Sequence, residues 1–141
     1  MPHKLSREDL EFVHRFESCG MRPGDFDHRA HVRLAYCYLA QHDTETARRM
    51  MSQALRAFLA ANAVDPGKYH ETLTTAWIRA VRHFMGRRAD TNSASGFIDE
   101  NPVLLDPAIM LTHYSAEVLF SDEARRRYVE PDLDPIPQEN A

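Results

Sequence analysis

Apolar residues recur along the chain at three- and four-residue intervals, the period of an amphipathic helix, and no strand-like alternation is sustained anywhere. Leu10, Phe12, Val13 and Phe16, preceded by Ser6 and Asp9 at capping-box spacing, predict a first helix over about 7–18 that Cys19-Gly20 ends. Met21 to Phe26, with Pro23 and Gly24, reads as a loop. Asp27 is the expected N-cap of a second helix over about 28–41. A third begins at Asp43 or Thr44 and runs to about Asn62, rich in Ala, Met, Leu and Arg, until Val64-Asp65-Pro66-Gly67 breaks it. The fourth covers about 69–85 and stops at Gly86.

Asp90 to Gly96 is small and polar and reads as a loop. Asn101-Pro102 and Asp106-Pro107 each place proline at a first helical position, which predicts short helices over about 102–105 and 107–114. Ser121-Asp122-Glu123 caps a last helix to about Val129. From Pro131 onward, prolines at 131, 135 and 137 predict an extended tail over 131–141 lying on the surface. The expected fold is all-α: one bundle of five to six helices over 1–130, followed by that tail. The stretch Leu34-Ala35-Tyr36-Cys37-Tyr38-Leu39, with Ala47 and Ala54-Leu55, is similar to one helix pair of a tetratricopeptide repeat. Such repeats need about three copies to bury a core and the chain carries one, so an ordinary antiparallel pair is expected.

Composition narrows the classes. The 141 residues are 43% hydrophobic and 27% charged, the balance of one globular domain rather than of a disordered chain. No apolar run approaches the ~20 residues that span a bilayer, and Met1-Pro2-His3-Lys4 leads into an acidic amphipathic stretch instead of a signal-peptide core. The expected location is cytoplasmic, away from membranes. Cys19 and Cys37 are too few for a disulfide framework and lack partners at zinc-finger spacing. The net charge of −4 offers no basic field for nucleic acid, because the arginines at 48–49, 87–88 and 125–127 lie near acids or on solvated faces.

The eight histidines carry the candidate chemistry. On the second helix Val32, Leu34, Ala35, Tyr38 and Leu39 define a face, and His28 and His31 fall within about 30–40° of its centre. On the fourth, Leu73, Trp77, Ala80, Val81 and Phe84 define the inner face, with His70 at its middle and His83 on the far side. Glu11 and His14 have the spacing of a carboxylate-bridged metal pair but point away from their own apolar face. If the second, third and fourth helices run up, down and up, His28, His31 and His70 meet at one end, and a descending segment at 107–114 brings His113 and Tyr114 there too. Converging neutral imidazoles suit Zn, Fe or Cu, and three protein ligands leave a position open for water or substrate. Glu71 is then the expected acid–base group and Thr74 a hydrogen-bond partner for a bound oxygen. The same residues equally describe a hydrogen-bonded polar core or a metal-free pocket, toward which two helix N-termini would draw an anion.

The strings Phe26-Asp27-His28-Arg29-Ala30-His31-Val32, Lys68-Tyr69-His70-Glu71-Thr72-Leu73-Thr74-Thr75-Ala76-Trp77 and Tyr128-Val129-Glu130-Pro131-Asp132-Leu133-Asp134-Pro135 resemble a group of small, uncharacterised bacterial helical proteins with the same block order. That resemblance covers most of the chain from Phe26 and implies no activity. Inward Glu-x-x-His pairs on two helices are missing, which argues against a carboxylate-bridged diiron centre. Nucleophile-elbow, phosphate-loop, C-x-x-C and H-E-x-x-H motifs are likewise missing. The expected function is therefore a mononuclear metal site on His28, His31, His70 and His113 acting oxidatively or hydrolytically on a small-molecule substrate. The alternative is a non-enzymatic helical binding module for an anionic small ligand or a protein partner. Assembly as a homodimer stays open.

Overall fold

A computed structural model describes residues 3–87 and 90–137 of the chain. Its elements in order are α1 (Arg7–Glu17), α2 (His28–Gln41), α3 (Thr44–Ala61), α4 (Glu71–Gly86), α5 (Ala94–Glu100), α6 (Ala116–Leu119) and α7 (Asp122–Arg126). Four 3-10 turns join them, at Pro23–Asp25, Pro66–Lys68, Pro102–Leu105 and Pro107–Thr112. The all-α single bundle expected from the sequence is what forms. The one β feature among the described residues is an isolated bridge between His3 and Thr91. Among the described residues no helix is long and apolar enough to cross a membrane.

Caps set most boundaries. Ser6 Oγ accepts from Asp9 N–H while the Asp9 carboxylate accepts from Ser6 N–H, a complete capping box that starts α1. Asp27 and Asp43 cap α2 and α3 through Ala30 and Thr46 N–H. At the far end of α1 the left-handed residue is Cys19 (φ 61°), not Gly20 as a glycine stop would have it, and Ala63 (φ 54°) takes the same conformation after α3. Gly20 N–H and Val64 N–H then close back onto the Arg15 and Leu59 carbonyls.

α2, α3 and α4 pack on one another and hold the core, with α1 laid across α2 and α3. Val32, Leu34, Ala35, Tyr36 and Cys37 of α2 and Ala76, Ile78 and Val81 of α4 are buried among Met51, Met85, Phe97 and Leu104. The segment 90–96, expected as a loop, becomes the start of α5 from Ala94, because Ser93 caps it through Gly96 N–H and its Ala94, Phe97 and Ile98 are buried. Asp9 fixes α5 in place: 1% exposed, it accepts from Ala94 N–H (2.9 Å) and from Arg33 Nε–H (3.1 Å) of α2. Burial acts to raise its pKa, but the bonds from Ala94, Ser6 and Arg33 outweigh this and hold the carboxyl below its usual value.

The tail is extended, as expected, yet it does more than lie on the surface. Leu133 N–H donates to His113 O, Asp132 accepts from Ser115 N–H, and Ile136 is buried in the core cluster. Residues 138–141, the remainder of the expected tail, fall outside the described residues.

Candidate functional site: an apolar cleft lined by three histidines

The starts of α2 and α4 lie at one end of the bundle, where His28, His31 and His70 line a single cleft of about 650 Å³. Phe26, Phe58, Leu73 and Trp77 form much of its wall, and the turn at Pro107–Thr112 and the end of α6 supply Leu111, Leu119 and Phe120. Behind it, Phe16, Phe26 and Phe58 stack at centroid distances of 4.6–5.6 Å and tie α1 and α3 to the loop before α2. The convergence of His28, His31 and His70 on one end was legible from helical geometry. Their chemistry was not.

His70 is not a helical residue of the inner face; it is the N-cap of α4. Its Nδ1 accepts from Leu73 N–H (3.1 Å) and its Nε2 faces Leu119 O (2.7 Å). A carbonyl cannot donate, so Nε2 carries the proton, and an imidazole that accepts at one nitrogen and donates at the other is neutral. Burial pushes its pKa below the usual histidine value in the same direction. Both nitrogens are spent on backbone, which leaves none for a metal.

His28 donates Nε2–H to Leu104 O (2.9 Å) and sets its ring edge-on to Trp77 at 4.6 Å. His31 differs. Its ring lies 6.3 Å from His28 and 6.0 Å from Phe26, and it has no hydrogen-bond partner among the described residues. The Trp77 indole N–H has none there either, although Trp77 is only 4% exposed. Among those residues the one shut-in side-chain polar atom without a partner is Thr44 Oγ1. The His31 nitrogens and the Trp77 N–H therefore open onto the cleft they line. Burial, and after it the neighbouring His28, pushes the His31 pKa down to about 4, so its ring too is neutral near pH 7.

The remaining predicted residues sit elsewhere. His113 is outside the cleft, its Nδ1 bonding Asp134 O (2.7 Å) and so holding the tail. Tyr114 is buried and donates to Val129 O. The Glu71 carboxylate turns from the cleft to Arg48 (3.1 Å), Tyr69 Oη (2.7 Å) and Thr75 Oγ1 (3.3 Å), which removes it as an acid–base group there. Thr74 does line the cleft, but its hydroxyl proton is given to His70 O (2.9 Å). No group of three or more His, Cys, Asp or Glu among the described residues is placed to hold a metal ion. His28 Nδ1 and the His31 ring are what the cleft offers, short of the three protein ligands of a catalytic zinc. Cys37, on the side of α2 away from His28, is fully buried and its thiol is pushed up to about 12, chiefly by burial.

Comparison with known proteins returns no match: no protein-family model, no curated protein and no solved structure matches the chain.

Proposed function

We propose that the protein binds a small, largely apolar organic molecule in this cleft, as a binding module rather than through a metal centre. The observation that carries the reading is the pairing of an aromatic and aliphatic wall with two polar groups, the His31 ring and the Trp77 N–H, that have no protein partner among the described residues. A volume of about 650 Å³ falls within the range of sites that enclose drug-sized ligands, which are typically mostly apolar with a few placed polar atoms. A buried indole N–H ordinarily finds an acceptor, so one facing a cleft is matched by an acceptor on the ligand. The neutral His31 ring can donate at one nitrogen and accept at the other, which suits a carbonyl or hydroxyl more than a charge.

The test uses the single tryptophan. Nile red, an uncharged polarity-sensitive dye, is titrated into the full chain while Trp77 emission is followed. Saturable one-to-one quenching of Trp77 with rising dye fluorescence is the expected result. Leu59→Glu, which places a carboxylate in a partly exposed part of the wall, is expected to abolish it with the circular dichroism unchanged. Absence of saturable quenching in the wild type, or its survival in Leu59→Glu, overturns the reading.

A further inference from the structure

Beside the cleft lies a smaller notch of about 370 Å³, walled by Arg56, Arg125 and Arg126 with Asp122, and the two share Tyr69. The Tyr69 ring is 7% exposed and carries the Arg56 guanidinium 4.2 Å above it, so a single aromatic ring partitions an apolar space from a cationic one. Lys68 adds a fourth cation on the cleft side of that partition. In a chain of net charge −4, four cations against one carboxylate is a local reversal of sign.

The nearby acids cancel it only in part, since Asp65 keeps its charge while Glu71 and Glu123 are paired with other arginines. Glu71 is held by Arg48, Tyr69 and Thr75, Glu123 pairs with Arg127, and Asp65 caps Gly67 N–H. Arg125 reaches Gly67 O at 3.3 Å, while Arg126 is exposed and forms no ion pair among the described residues. Apart from Lys68, no Lys, Arg, Asp or Glu among the described residues lines the cleft. His70 is neutral by its two backbone bonds, so a charge placed deep would lose water and gain no counter-ion. A charge placed at Tyr69 keeps its water and meets the arginines.

Resting on the apolar-cleft reading, we infer that the ligand is an amphipathic anion, its apolar body in the cleft and its carboxylate or phosphate head over Tyr69 in the arginine notch. The probes are dodecanoate and dodecan-1-ol, which share the chain and differ in the charge of the head. Binding to the full chain is followed by Trp77 emission at low salt. Dodecanoate is expected to bind about tenfold more tightly than the alcohol, the scale of a charge-assisted contact. Raising the salt is expected to narrow that gap. In Arg56→Gln/Arg126→Gln, two exposed positions, the gap is expected to close to about twofold or less with the alcohol unaffected. Equal binding of both probes to the wild type overturns the head-group assignment and leaves the apolar cleft standing. A preference for dodecanoate that survives the double substitution overturns the notch as the place of the head. Failure of both probes to bind overturns the cleft reading itself.

Discussion

His31 turns the burial of the cleft wall into a pH dependence that can be measured. Its ring belongs to the first turn of α2, faces Phe26 and His28, and titrates at about 4 in the folded chain against 6.5 for an ordinary histidine. A folded pKa below the unfolded one means that the unfolded chain binds the proton first as pH falls. The contribution is therefore complete above about pH 6.5 and is lost progressively down to about pH 4. A gap of about 2.5 units at 1.36 kcal/mol per unit gives a loss of about 3 kcal/mol across that window, of which about 1.4 kcal/mol has gone by pH 5.5. The perturbation is His31→Leu, which keeps an apolar side chain in the wall and removes the titration. The assay is urea unfolding followed by circular dichroism at pH 7.5, 5.5 and 4.5. His70, also shifted down, adds a loss of the same sign to both proteins and drops out of the difference. The wild type is expected to lose about 2.5 kcal/mol more than the variant between the extremes. Parallel pH profiles, or an NMR titration of His31 with a midpoint near 6.5, would refute the claim that the ring is held neutral by its surroundings.

Two further predictions address the residues that hold the scaffold. His70→Ala removes an N-cap and strands the Leu119 carbonyl, at an expected cost of about 2–4 kcal/mol in thermal or urea unfolding. His70→Asn restores a side chain that caps well and should recover about half of that, so an equal cost for the two would count against the capping role. Asp9→Asn points an amide N–H₂ at donors that now reach a carboxylate, from Arg33, Ala94 and Ser6, and is expected to cost about 2–4 kcal/mol at pH 7. The difference between Asp9→Asn and wild type should begin to shrink as pH falls below 3.8, where the unfolded chain takes up the Asp9 proton first, and should go on shrinking until the lowered folded pKa is passed; a constant difference down to about pH 2 would show that charge is not what the site uses.

Long helices were legible because their information is local. The periodic faces of α1 to α4 and the caps Ser6, Asp27 and Asp43 are written within a few residues, and α2 takes the predicted bounds. The start of α5 was not, since Ser95 and Gly96 are weaker helix formers and Ala94 N–H is held by Asp9, a residue 85 positions away. The site divides in the same way. The shared end follows from the order and direction of the helices, so His28, His31 and His70 were placed together, although the inward helical angle assigned to His70 does not apply to an N-cap. What each nitrogen bonds depends on carbonyls at 104 and 119, contributed by segments that carry little periodic signal. His113 was misplaced for that reason: its partner is the tail, whose course no local pattern sets. Tyr69, flanked in sequence by Lys68 and His70, gave no sign of its double role, because the arginines across from it come from α3 and α7.

Two of the four histidines that were expected to bind a metal, His28 and His70, instead explain why a cleft exists. The end of a bundle formed by α2 and α4 must be closed by something, and here it is closed by 3-10 turns and a four-residue helix whose carbonyls lack full intrahelical partners. His28 donates to Leu104 O at the end of one such turn, and His70 donates to Leu119 O at the end of α6. Each imidazole acts as a strut from a long helix to a short segment, stiffer than a lysine or glutamine because a ring has two torsions to fix. Leucine at either position would satisfy the apolar pattern and leave a carbonyl without its donor. The struts hold the covering segments at a fixed distance from Trp77 and Leu73, and the gap so maintained is the cleft. His31, in the same first turn of α2 as His28, supports no such segment among the described residues. It is the member of the trio whose replacement leaves the cover in place, so its loss should alter what the cleft binds more than whether the cleft forms.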